Sequence, residues 1–261
     1  GDQTLGGDGE IRFREAYSAL FTGGPLTISP GLTIHRSDSG FSDIAISNGG
    51  SITNQGTIRA GSGTIRISNS LGNAEFHNAA GGVLAADGGT LNLSADWSNA
   101  GQILVTSGTF NLGGRFTTAG LGAHTRTGGT VNLVGLMDNT GETLSLDEST
   151  GSWNLDFANS GQVPELRGGN LVTSGGTMLV SMHNAGTLNG VTLGATIGGV
   201  PASATVQTGT TLGMTVTGGL TFSNGSIVDL ANSGGMTLVG DQTLGGDGTI
   251  RLRSGAGIAN F

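Results

Sequence analysis

The sequence predicts an all-β fold, a parallel β-helix of roughly 12 coils. Three observations predict it. First, one phrase returns at a near-constant beat: Gly89-Thr90-Leu91-Asn92-Leu93, Gly108-Thr109-Phe110-Asn111-Leu112, Gly129-Thr130-Val131-Asn132-Leu133 and Gly151-Ser152-Trp153-Asn154-Leu155, with spacings of 19, 21 and 22 residues. A period in the low twenties marks one supersecondary unit stacked on itself. Second, within each phrase apolar and polar residues alternate, which is strand periodicity. Third, glycine is 52 of 261 residues and punctuates every beat; at about 1 kcal/mol per glycine relative to alanine, helices are disfavoured.

The phrases define columns. Leu91, Phe110, Val131 and Trp153 share one inward column, and Leu93, Leu112, Leu133 and Leu155 the next. Asn92, Asn111, Asn132 and Asn154 form a third, able to hydrogen-bond along itself as an amide ladder. At about 21 residues per coil the chain makes about 12 coils, and the crossover preference favours a right-handed winding.

The chain then reads in order as a single β-solenoid segment over 1–261. Residues 1–9, Gly-Asp-Gln-Thr-Leu-Gly-Gly-Asp-Gly, return unchanged as 240–248, an offset of 239. A longer period therefore overlies the short one. Residues 1–25 open a supermodule, 26–239 are stacked coils, and 240–261 begin a second copy, whose natural neighbours are further modules stacked end to end. The stretch 14–21 lacks glycine and reads as a less regular loop, or as a strand with an apolar flank, ahead of a helical turn. Strands follow at Leu26-Thr27-Ile28, Leu32-Thr33-Ile34, Ile44-Ala45-Ile46 and Thr64-Ile65-Arg66-Ile67, with Pro25 and Pro30 in turns. A second phrase sits between beats: Asn54-Gln55-Gly56, Asn78-Ala79-Ala80-Gly81, Asn99-Ala100-Gly101, Asn139-Thr140-Gly141, Asn159-Ser160-Gly161 and Asn184-Ala185-Gly186. From Val191 the beat shortens and threonine alternates with apolar residues, as in Met214-Thr215-Val216 and Met236-Thr237-Leu238.

Composition narrows the function classes. Only four prolines and no G-X-Y order exclude collagen. A net charge of −8 with ten scattered basic residues argues against nucleic acid as partner. No run approaches 18 apolar residues, so no membrane insertion of this segment is expected. The opening residues do not read as a signal peptide. There is no cysteine, as suits a chain exported unfolded.

No catalytic constellation, cofactor site or metal site is legible. His35, His77, His124 and His183 lie at different phases of the repeat. Asp2, Asp8 and the Gly6-Gly7-Asp8-Gly9 turn approach a calcium β-roll, but Ile11 stands where that motif needs aspartate. The same turn is not a phosphate loop, because no lysine or helix follows. Polysaccharide-cutting β-helices gather carboxylates on one sheet; the candidates here are Asp138, Glu142, Asp147, Glu148 and Asp156. Trp97 reads as an exposed sugar-stacking platform, Trp153 as core. Thr125-Arg126-Thr127 stands alone and out of register with Thr208 to Thr211, so the regular threonine array of an ice-binding face is missing.

The Gly-Thr-x-Asn-Leu and Asn-x-Gly-x-Ile phrases resemble the β-strand repeats of large secreted bacterial proteins, the filamentous-haemagglutinin-like exoproteins and autotransporter passenger domains. The resemblance covers about residues 26–252. Their secretion-domain motifs and anchor barrel are not within these 261 residues. The resemblance implies a non-enzymatic structural or adhesive segment at the bacterial cell surface, a rigid stalk or fibre. Its partners would be neighbouring modules, copies of itself in fibres, and surface glycans, with contact near Trp97 or 14–21. The alternative is a polysaccharide-binding or polysaccharide-degrading β-helix of lyase or tailspike type.

Overall fold

A computed structural model describes residues 1–69, 74–157, 163–182, 186–209 and 212–261. They form an all-β parallel solenoid of about 11 turns. The chain divides into two compact units, Gly1–Val131 and Asn132–Phe261.

In the first unit each coil contributes three short strands, one to each of three parallel sheets. The first sheet stacks Gln3–Leu5, Leu26–Ile28, Ser51–Asn54, Glu75–Asn78 and Asp96–Asn99. The second stacks Gly9–Phe13, Leu32–Arg36, Thr57–Ala60, Val83–Ala86, Gln102–Val105 and Ala123–Arg126. The third includes Tyr17–Thr22, Phe41–Ile46, Thr64–Asn69, Thr90–Leu93 and Thr109–Leu112. Period-2 alternation sends every second side chain inward. Ile28, Ile34, Ile44, Ile46, Ile52, Ile58, Ile65 and Ile67 are therefore all fully buried. A β-branched side chain fills such a column in its preferred rotamer. The predicted columns are real here: Leu91 pairs with Phe110, Asn92 with Asn111 and Leu93 with Leu112. Asn111 Nδ2 donates to Asn92 Oδ1 at 2.5 Å, the first rung of the expected amide ladder.

A second ladder, not foreseen, runs inside the coil. Asn54, Asn78 and Asn99 of the intermediate phrase are buried. Asn54 Nδ2 donates to Asn78 Oδ1, and Asn78 Nδ2 to Asn99 Oδ1, each at 2.7 Å. Their amides also tie down turn carbonyls, Asn78 Nδ2 reaching Gly82 O at 3.1 Å. This is why asparagine precedes the glycine: it saturates buried turn acceptors that a leucine would leave bare. Asn78→Ala is expected to cost about 2–3 kcal/mol in urea denaturation, by breaking two rungs at once; a loss under about 0.5 kcal/mol would show the ladder to be incidental.

One α-helical turn, Thr118–Leu121, occurs among the described residues, with Thr117 Oγ1 accepting from Gly120 N at 2.9 Å as its N-cap. In the stretch 14–21 the structure takes the strand alternative: Tyr17–Thr22 is a regular strand, paired residue for residue with Phe41–Ile46. Only Arg14 to Ala16 form the turn, with Glu15 at φ 66°. Cross-coil pairing selects the strand over the loop.

The second unit keeps the same logic with longer and less even coils. Leu136 pairs with Glu165, and Thr143 with Asn170. This uneven length is the reason the turns number about 11 rather than 12. Trp153 and Leu155 are fully buried, as expected, and Trp153 pairs with Leu179. Asn154 Nδ2 donates to Asn132 Oδ1 at 2.8 Å. Gly213–Leu230 is one unbroken strand whose successive stretches pair with different partners. An antiparallel hairpin, Ala195–Ile197 with Val200–Ala202, turns on Gly198 and Gly199, both at positive φ. Two glycines between apolar pairs were its signal. Asn159, Ser160, Gly161, His183, Asn184, Ala185, Thr210 and Thr211 lie outside the described residues.

Candidate functional site

The outer face of the third sheet in the first unit carries an exposed aromatic and charged cluster. Alternation in Tyr17–Thr22 sends Thr22 inward and leaves Tyr17 56% and Phe21 67% exposed. In Phe41–Ile46 it buries Ser42, Ile44 and Ile46 and turns Phe41 and Asp43 to the outer face. The rings of Tyr17 and Phe41 stack at 6.1 Å and 12°. Arg66, one coil on, lies 5.0 Å from the Phe41 ring centroid, a cation–π contact.

Asp43 holds this cluster together. Arg66 donates to it twice, Nε to Oδ1 at 2.7 Å and Nη2 to Oδ2 at 2.9 Å. The Tyr17 hydroxyl donates to Oδ2 at 3.3 Å. The fork geometry matches a carboxylate and fixes the plane of the guanidinium over Phe41. Loss of solvent and then the neighbouring Asp43 charge push the Tyr17 hydroxyl above its ordinary pKa, and the Asp43 hydrogen bonds raise that of Arg66. The result is a flat apolar platform with a satisfied polar rim, suited to stacking rather than to proton transfer.

Beneath it lies a buried arginine. Arg36 is fully inside the coil. Its Nη1 donates to Phe41 O at 3.1 Å and Ser42 Oγ at 2.6 Å, and Nη2 meets Asp38 Oδ1 at 2.6 Å and the Glu15 carbonyl. Asp38 Oδ2 in turn accepts from Glu15 N at 3.0 Å. Arg36 thus fastens the two turns from which Tyr17 and Phe41 emerge. Sequence reasoning missed it, although Leu32, Ile34 and Arg36 share one phase of the alternation and the first two are plainly inward.

The other candidates fall elsewhere. Trp97 is a correction: it is 5% exposed, stacks on Phe116 at 4.4 Å, pairs with Phe76 and donates Nε1–H to Gly113 O at 2.9 Å. It shares the inward phase of Asn99, so its ring does not face solvent. His35 Nε2 accepts from Arg12 Nε at 3.2 Å, His77 Nδ1 meets Ser98 Oγ at 2.9 Å, and His124 Nδ1 lies 3.4 Å from Gly122 O. Among the described residues no cluster of three His, Asp or Glu side chains is placed to hold a metal. Asp147 and Glu148 share an open recess of about 370 Å³ with Ser149, Ser174 and Gly175. Asp147 Oδ1 already accepts from Ser149 N and Oγ at 2.8 and 2.7 Å, a turn-capping role. Asp138, hydrogen-bonded at Thr140, is likewise a turn residue, and neither it, Glu142 nor Asp156 lines that recess. Thr125 and Thr127 are exposed beside Arg126, whose Nη2 donates to Gly129 O at 2.7 Å.

Several carboxylates are held below their ordinary range by partners on a neighbouring coil, in the same strand or in the adjoining turn. Arg12 lowers Glu10, Arg59 and then Thr106 lower Asp87, Thr140 lowers Asp138, and Arg253 lowers Asp229. A depressed folded pKa stabilises the fold above the unfolded value and loses that contribution as pH falls through the folded one. The unfolded values are 3.8 for the aspartates and 4.5 for Glu10. Thermal unfolding is therefore expected to shift little between pH 6 and 8, roughly, and to fall steadily below about pH 4. A midpoint that rises on acidification would contradict this.

The fold defines the class, a parallel β-solenoid. No protein-family model matches the chain, and no curated protein matches it. Among solved structures it aligns with a TibC-catalysed, hyper-glycosylated TibA fragment (residues 55–350), at 15% identity and a TM-score of 0.23 over 100% of this chain and 97% of that one.

Proposed function

We propose that this chain is a non-catalytic structural and adhesive segment of an exported bacterial surface protein, working as a rigid stalk or fibre element at the cell surface. The observation that carries the reading is the inward stacking of apolar columns within each unit, such as Ile44, Ile67, Leu93 and Leu112, braced by asparagine ladders. Within the first unit neighbouring coils are bonded along three sheets, which resists bending of that unit. Negative-stain microscopy of the purified chain is expected to show rods of constant narrow width; compact globular particles would overturn the stalk reading.

The contact face is Tyr17, Phe21 and Phe41, and surface glycans are the partners an aromatic platform suits. Tyr17→Ala with Phe21→Ala is expected to reduce retention of the chain on glycan-bearing cells by about tenfold, the worth of one or two stacking contacts, while its melting temperature stays within a few degrees. Unchanged retention would remove the face from the proposal. A second reading, a polysaccharide-acting β-helix, has the Asp147–Glu148 recess in its favour. Release of new reducing ends from a polysaccharide panel, abolished by Glu148→Gln, would establish it.

A further inference from the structure

The outer face of the first sheet carries a glutamate, a histidine and a serine in hydrogen-bonded series. Glu75 and His77 are alternate residues of the strand Glu75–Asn78, so both point outward. His77 pairs in register with Ser98 of the next coil. His77 Nδ1 lies 2.9 Å from Ser98 Oγ, and His77 Nε2 lies 3.2 Å from Glu75 Oε2. A serine on one ring nitrogen and a carboxylate on the other is the arrangement that activates a nucleophile, and it is recognised by geometry rather than by sequence order.

The carboxylate decides the tautomer. An ionised glutamate can only accept, so the neutral ring carries its proton on Nε2. Nδ1 is then bare and accepts from the Ser98 hydroxyl, as a general base does. When that proton moves to Nδ1, the imidazolium faces Glu75. Asp96 stands opposite Glu75 in the register of the next strand, adding a second negative charge nearby. Asp96 is itself held in place, its Oδ1 accepting from Arg115 N at 3.1 Å.

The core positions base and nucleophile from beneath. Phe76 and Trp97, the chain neighbours of His77 and Ser98, pair inside the coil and are buried. On the other side Asn78 Nδ2 donates to Asn99 Oδ1 at 2.7 Å. The two backbones are thus fixed on both sides of the reacting pair, as a site built on rigid elements requires. Approach from solvent is open: the His77 and Glu75 side chains are 42% and 64% exposed. Gly120 flanks Ser98 without a side chain, where an added Cβ would lie 3.9 Å from Ser98 Cβ.

We propose that Ser98 is a site of covalent acylation, with His77 as its base and Glu75 as the positioning residue that holds His77 in the reactive tautomer. The ligand class is a small activated carboxylic ester. Ser98 Oγ adds to the ester carbonyl carbon while its proton passes to His77 Nδ1. The bond from that carbon to the leaving oxygen then breaks, and His77 returns the proton to that oxygen. The products are an O-acyl serine and a free alcohol. Because the three side chains stand on an open sheet face rather than in a recess, the site captures an acyl group once and does not turn over. The proposal goes beyond the structural and adhesive reading and leaves it intact.

The test treats the 261-residue chain with p-nitrophenyl acetate at neutral pH and follows acetylation of each serine by tandem mass spectrometry. Ser94, exposed and nearby in sequence, is the internal reference. Ser98 is expected to acetylate about 100-fold faster than Ser94, the worth of a positioned general base. His77→Gln should bring Ser98 down to the Ser94 rate. Glu75→Gln lets a side-chain amide donate to Nε2, which turns the ring to the wrong tautomer, and should slow labelling by about tenfold. Glu75→Asp keeps the carboxylate and should recover part of that loss. Equal rates at Ser98 and Ser94 in the parent chain, or a Ser98 rate unchanged by His77→Gln, would overturn the proposal. The comparison of the two serines is made within one native chain, so it does not depend on any variant folding. Rods in the microscope without Ser98 labelling would remove this inference alone, and labelling of globular particles would remove only the stalk reading.

Discussion

Arg36→Ala is expected to destabilise the first unit by about 3–5 kcal/mol. The side chain is fully buried, and its loss strips the Glu15 and Phe41 carbonyls and Ser42 Oγ of their donor. It also leaves a cavity where the guanidinium filled the corner. Most of the effect comes from these orphaned groups rather than from Coulombic attraction to Asp38, whose side chain is 42% exposed. Arg36→Lys should recover little, because a single ammonium cannot span acceptors that a planar fork meets together. Gly40 and Gly63 pack directly on this guanidinium, with added Cβ atoms falling 1.5 Å from Nη2 and 3.0 Å from Nε respectively, so the surrounding turns are built around arginine. Amide exchange over Tyr17–Thr22 and Phe41–Ile46 should accelerate most, and the Tyr17–Phe41 platform should loosen with it. Stability within about 1 kcal/mol of the parent for both variants would show that Arg36 is a passenger.

Trp153→Ala is expected to cost about 3–5 kcal/mol in the second unit, the usual price of removing a fully buried large aromatic. Trp153 is 0% exposed and stacks in register on Leu179. In a solenoid the loss is local at first, since each coil touches only its neighbours. The protein has two tryptophans, so the variant leaves Trp97 as the lone indole reporter, and Trp97 sits in the first unit. Urea unfolding followed by Trp97 fluorescence should shift less than amide exchange at Trp153–Leu155 and Leu179–Ser181. Equal shifts by both probes would mean that the two units unfold as one.

The aromatic cluster illustrates how a candidate site escapes a local reading. Phe41 and Arg66 are 25 positions apart in sequence, and nothing near either announces a cation–π pair. Trp97 drew attention because a tryptophan beside a turn looks like a platform. Its ring is instead claimed by Phe76 and Phe116 on neighbouring coils. Asp43 looks like one more exposed acid, yet Arg66, Ser68 and Tyr17 all converge on it.

By itself the sequence determined the parallel solenoid, the inward columns through Leu91 and Phe110, the asparagine rungs at Asn92 and Asn111, and the burial of Trp153. Those follow from period-2 alternation and a repeated phrase, both of which are local and visible along the chain. Only the tertiary structure decided that Arg36 is inside, that Trp97 is core, that residues 17–22 form a strand rather than a loop, and that Asn54, Asn78 and Asn99 make a second ladder. Each of these depends on which residue sits in the coil above or below. That neighbour is set by coil length, and coil length varies from turn to turn wherever a loop or hairpin is inserted, so alternation fixes which way a side chain points while stacking alone fixes what it meets.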